Sequence, residues 1–156
     1  HLGLFYRSDY GIGMSSDKLH KMRNLFLKRF KRHKRKLKKI KTIEGKAQFL
    51  IDLSNQALEY IKPVAVIDYY LKHVTDEDQL KDFDRWLAEE VLARATGKGH
   101  KKGNFRYLSF KKMREMGLPS LRHRHRLIAH GHIRSDFMQF RNDKLAERYR
   151  ASKGQK

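Results

Sequence analysis

Apolar residues recur every three or four positions through most of the chain, the spacing of helices that each bury one face. In the first such run Leu19, Met22, Phe26, Phe30, Leu37 and Ile40 form one stripe, interrupted only where His33 stands. Ser15, Ser16 and Asp17 precede it with side-chain oxygens suited to cap free N–H groups, which predicts a long first helix reaching about Lys41. Thr42 is placed to cap a second helix to Lys62, with Ala47, Leu50, Leu53, Ala57, Leu58 and Ile61 inward. Pro63 ends that helix or opens the next segment. Residues 64–74 are short and apolar and read as helix, with strand as the alternative because of their Val and Ile content. Thr75, with Asp78 three residues on, predicts a capped fourth helix. Its stripe is Leu80, Phe83, Leu87 and Val91, and its stop is Gly97.

Residues 97–104 are basic and glycine-rich, and read either as a phosphate-contacting loop or as a mobile connector. Ser109 then caps a short helix over 110–116, Gly117-Leu118-Pro119 turns the chain, and a further helix over 120–129 stops at Gly131. The expected fold is all-α: a small bundle of five or six helices, with a long basic N-terminal helix and a C-terminal helix-turn-helix-like hairpin, and room for a short wing after Gly131. Residues 18–150 read as one domain. Residues 1–17 open on His1 rather than Met and read as an N-terminal arm or tag remnant, and 151–156 as a disordered tail.

Charge sharpens this picture. The chain carries 37 Lys and Arg against 17 Asp and Glu, a net charge of +20. Residues 18–46 hold 14 basic side chains and a single acid, Glu44. Residues 76–90 reverse the sign, with seven acids against Lys81 and Arg85. Residues 98–150 return to 15 basic side chains against 4 acids. Such an excess repels itself, and a polyanion relieves it; the phosphate backbone of nucleic acid is the commonest one. The candidate phosphate contacts are Lys28, Arg29, Lys31, Arg32, Lys34, Arg35, Lys38 and Lys39 in the first basic region. Lys98, Lys101, Lys102, Arg106, Arg122, Arg124 and Arg126 complete the set in the second. The acidic stretch either docks on a basic helix or forms a solvated face.

The absence of cysteine excludes disulfides and thiolate zinc sites and fits a reducing compartment: cytoplasm, nucleoid or ribonucleoprotein. No apolar run approaches the length of a membrane span, so no membrane partner is expected, and no cofactor either.

The hairpin around Gly117 carries the most specific signals. Its second helix would present Arg122, Arg124 and Arg126 with His123 and His125, while Leu118, Leu121, Ile128 and His125 pack inward. A helix so placed can enter a major groove, where Arg pairs with guanine. The plain alternative is a helical hairpin with a basic outer face. Residues 116–120 and 126–133 resemble excisionase-type winged helix-turn-helix domains, although the span from Gly117 to Arg126 is one residue longer than that pattern. The same stretch is similar to the motif of HEPN ribonucleases, an Arg and a polar neighbour followed by a His, here Arg124, His125 and His130. That resemblance implies metal-free RNA cleavage, with His130 as general acid or base and Arg124 stabilising the phosphorane charge. His123, His125, His130 and His132 are dense, but i and i+2 positions do not converge on a helix, so a metal site is not expected. Phe105 and Tyr107 flank Arg106 and are the candidates for base stacking, whereas Phe26 and Phe30 fall at core spacing. The leading expectation is non-catalytic nucleic-acid binding, duplex DNA ahead of RNA. A ribosomal or ribonucleoprotein component and the ribonuclease are the alternatives.

Overall fold

The structure, a computed structural model, describes residues 4–6, 12–58, 71 and 73–129. It is mostly helical, in keeping with the all-α expectation, with one short ribbon added. Strands β1 (Leu4–Tyr6) and β2 (Ile12–Met14) pair antiparallel, Leu4 opposite Met14. Met14 is 1% exposed, so the described part of the expected N-terminal arm is an integral piece of the core.

Helix α1 covers Ser16–Arg32, and the Ser15 hydroxyl accepts the Lys18 amide at 3.4 Å. The predicted single helix to Lys41 is in fact two. His33 leaves helical geometry at φ −105° and ψ 18°, and α2 restarts over Lys34–Lys39. Thirteen consecutive residues from Lys28 to Ile40 contain only Phe30, Leu37 and Ile40 as aliphatic or aromatic hydrocarbon anchors. Like charges at helical spacing repel along this run, and the half-buried His33 ring packs edge-on to Phe49 at 6.2 Å. The break falls in the gap in the apolar stripe.

Helix α3 (Ile43–Ala57) is capped by Thr42, whose hydroxyl accepts the Gly45 amide at 3.0 Å. It closes at Leu58, short of the predicted end at Lys62. Ala47, Leu50, Leu53 and Ala57 are buried as expected, and so are Ile51 and Ser54. Ser54 satisfies its hydroxyl on the Leu50 carbonyl one turn back. Ile61 and nearly all of the segment over 64–74 lie outside the described residues; Leu71 and Val74 are buried.

Helix α4 (Glu77–Thr96) is capped by Asp76 rather than by Thr75. The Thr75 hydroxyl is engaged elsewhere, accepting the Ile12 amide of β2 at 2.8 Å. Gln79 on α4 also bonds both backbone groups of Met14, which fastens the ribbon to this helix. Leu80, Phe83, Leu87 and Val91 are all buried, and α4 ends at Gly97, whose φ of 71° suits a residue without Cβ.

Helices α1, α3 and α4 share one core. Met22, Phe26 and Phe30 of α1 are buried, and Phe26 meets Phe83 at 6.0 Å between ring centres. The loop after α4 is less free than the sequence suggests. It contains a 3-10 helix over Lys102–Arg106 packed on α4, and buried Asn104 donates to the Gly99 carbonyl at 2.7 Å. Helix α5 (Phe110–Glu115) is capped by Ser109, and α6 (Leu121–Ala129) follows. Gly117, at φ 101°, makes the turn between them, and α3 clamps it: Asn55 donates to the Gly117 carbonyl and Gln48 to that of Met116. Leu118, Leu121 and Ile128 are buried, and His125 donates from Nδ1 to the Leu71 carbonyl at 2.8 Å, so all four turn inward as predicted. The wing proposed after Gly131 and the tail over 151–156 lie outside the described residues. Among the described residues no helix is long and apolar enough to cross a membrane.

Candidate nucleic-acid interface

The N-terminal basic region divides its cations between the core and the surface. Arg23 lies over the Trp86 ring at 5.3 Å, and Arg29 is half-buried and reaches Gln56 at 3.5 Å. These side chains serve packing as well as charge. Lys28, Lys31, Arg32, Lys34, Arg35, Lys38 and Lys39 are exposed, and among the described residues none of them forms an ion pair. Partial desolvation depresses the pKa of His33, and the charges of Lys36, Arg29 and Arg32 lower it further. A dense positive field facing solvent is what a string of phosphates neutralises.

The acidic stretch lies in α4, which packs on α1 through Phe83 and Trp86. Its ion pairs, however, are made within α4 and with the chain that follows it. Glu89 pairs with Arg85 at 3.0 Å, and Glu90 pairs with Arg94 at 3.0 Å and with His100. Glu77 pairs with Arg126 of α6 at 3.2 Å, and that hydrogen bond holds the Glu77 carboxyl below the usual glutamate range. Buried Asp84 receives the Leu121 amide at 2.7 Å, the Arg122 amide at 3.4 Å and the Ser120 hydroxyl. It thereby satisfies the N-terminus of α6, where a carboxylate is favoured by the helix dipole. Burial nevertheless raises the Asp84 pKa, outweighing the stabilisation from those donors.

The helix-turn-helix candidate therefore has a described turn and second helix, but its arginines are unequally placed. Arg126 is held by Glu77, Arg122 lies in a cleft against α4, and Arg124 is half-buried. His130, the partner of Arg124 in the ribonuclease motif, lies outside the described residues. His132 and Arg134 lie outside them too.

In the loop after α4, Lys101 and Lys102 are exposed. Lys98 and Arg106 close on Tyr107 from 4.8 and 4.9 Å above its ring, and both donate to its hydroxyl. The hydrogen bond from Lys98, then that from Arg106, lowers the phenol pKa. Tyr107 is 36% exposed, while Phe105 is half-buried against the core, so the two stacking candidates separate. Sequence reasoning did not single out Asp84, Arg114 or Phe110. Asp84 had a signal: it falls four residues after Leu80, on the apolar face of its helix.

Compared with known protein families, characterised proteins and solved structures, the chain matches none.

Proposed function

We propose that this protein is a non-catalytic nucleic-acid-binding protein that uses the exposed basic surface of α1 and α2 to neutralise phosphates. The observation carrying this reading is the set of eight exposed Lys and Arg side chains from Lys28 to Lys39, Lys36 included, that meet no acid among the described residues. Seven acids stand in residues 76–90, and three of them, Glu77, Glu89 and Glu90, pair with Arg126, Arg85, Arg94 and His100, outside α1 and α2. Self-repulsion at this surface costs stability, and a polyanion removes that cost. The turn between α5 and α6 keeps duplex DNA ahead of RNA as the partner, because a helix behind such a turn is one way into a major groove. A ribonucleoprotein would offer the same phosphates.

The test is a binding panel of duplex DNA, single-stranded DNA, structured RNA and single-stranded RNA, each at two salt concentrations. Tight binding that weakens steeply with salt, strongest for duplex DNA, is expected. No binding to any member at low salt would remove the reading.

A further inference from the structure

Between α4, the 3-10 helix and the α5–α6 hairpin lies a cleft of about 510 Å³. That is within the size range of sites for small organic ligands. Lys81 and Arg85 of α4, Arg114 of α5 and Arg122 and Arg126 of α6 bring five cations to its walls, and Phe105 and Phe110 bring two phenyl rings. Two features mark it as more than a crevice. The Nε of Arg122, like those of Arg23 and Arg29 elsewhere, is shut off from solvent and meets no acceptor among the described residues, and of the three only Arg122 lines the cleft. A polar atom left so is a group whose partner is missing. Phe110 is 36% exposed, one of only two large apolar side chains that stand out among the described residues. A cation wall beside an open aromatic face fits a ligand that is both anionic and planar.

Asp82 and Asp84 also line the cleft. Asp84 turns its oxygens to Ser120 and the α6 backbone, so its acceptor capacity is directed at α6. Arg85 is shared with Glu89, and Arg114 donates to the Leu118 carbonyl. Arg126 is held by Glu77, which leaves Lys81 and Arg122 as the cations of the cleft with no side-chain partner among the described residues.

We infer that this cleft receives one unpaired nucleotide of a bound nucleic-acid chain, its base against Phe110 and its phosphate between Lys81 and Arg122. The inference rests on the nucleic-acid reading above. A base pair inside a duplex is covered on both faces by its neighbours, and an end pair offers only the outer face of a two-base plate. An unpaired base, by contrast, can enter a narrow cleft and stack on an aromatic side chain whatever its identity.

The experiment compares a blunt DNA duplex with the same duplex carrying a one-nucleotide 2-aminopurine overhang, both bound to the 156-residue protein. The overhang duplex should bind about tenfold more tightly, the order of one stacked base, with 2-aminopurine fluorescence quenched. Phe110→Leu should abolish both the preference and the quenching while blunt-duplex affinity holds. Arg122→Gln should reduce the preference; exposed Lys81→Gln should do the same without risk to the fold. Competition by excess AMP would show that a free nucleotide enters the same cleft, and its failure would assign the cleft to the chain-borne nucleotide. Equal affinity for the two duplexes with unchanged fluorescence would overturn the inference while leaving the nucleic-acid reading intact. Failure of both duplexes to bind at low salt would remove that reading, and the cleft's occupant with it.

Discussion

The two basic regions look alike in the sequence and are unlike in the fold. The first, in α1 and α2, places Lys28, Lys31, Arg32, Lys34, Arg35, Lys38 and Lys39 in solvent with no acid at ion-pairing distance among the described residues. The second folds back on the acidic helix α4: Glu77 holds Arg126, Asp84 caps α6, and Glu90 meets His100. In the second region charge contributes to the architecture; in the first it works against compaction. Net charge alone does not reveal this, because what matters is which cations the folded chain has already neutralised. On the proposed nucleic-acid reading, α1 and α2 are the primary phosphate surface and the C-terminal hairpin is held by α4.

The largest expected effect follows directly. Changing Lys31, Arg32, Lys34, Arg35, Lys38 and Lys39 together to Gln should weaken binding by roughly a thousandfold at moderate salt, the scale set by leaving about six phosphates without a cation. Thermal stability should hold or rise, since mutual repulsion is removed. A collapse of stability with unchanged affinity would mean that these side chains belong to the architecture after all.

Asp84→Ala should show the opposite profile. It strips the α6 N-terminus and Ser120 of a buried acceptor, at a cost of about 1–3 kcal/mol, which in a chain of this size lowers the melting temperature by several degrees. Affinity for nonspecific duplex, measured well below the transition, should change little. A loss of affinity with no thermal shift would place the second basic region on the binding surface.

Much of the fold was legible because its helices obey local rules. The Ser15, Thr42 and Ser109 caps, the Gly97 stop and the stripes of α1, α3 and α4 all stand where spacing and capping chemistry put them. The features that escaped are made by contacts distant in sequence. Thr75 gives up its capping role to Asp76 because β2 takes its hydroxyl, a pairing across 63 residues. The first helix breaks at His33, where the apolar stripe has its gap. On the candidate site, residue type identified the cations, but not which of them α4 would hold. That outcome depends on Glu77 and Asp84 reaching Arg126 and the α6 N-terminus across 49 and 37 residues.

Two smaller effects sharpen the contrast. Glu77→Gln should release Arg126 from its ion pair and raise polyanion affinity, by no more than about fivefold for an exposed pair. No gain, with Arg126→Gln equally silent, would leave α6 outside the interface. His33 offers a pH handle. Its folded-state pKa lies below the ordinary value of 6.5, so the unfolded chain takes up a proton first. Stability of the free protein should therefore decline as pH falls below that value, the loss becoming complete once the folded imidazole titrates. Bound phosphate would favour the imidazolium among Arg29, Arg32 and Lys36, so affinity should rise modestly from pH 7.5 to 6. His33→Gln should flatten its share of that rise in a titration followed by fluorescence anisotropy.

The most direct measurement is the salt dependence of duplex binding for the native chain and for the variant lacking the six α1–α2 charges. The expected result is a straight line of log affinity against log salt with a slope of several units, made shallower in the variant by about one unit for each phosphate that the variant no longer neutralises. An identical slope in the two proteins, or a flat response in the native chain, would contradict the assignment of α1 and α2 as the phosphate-binding surface.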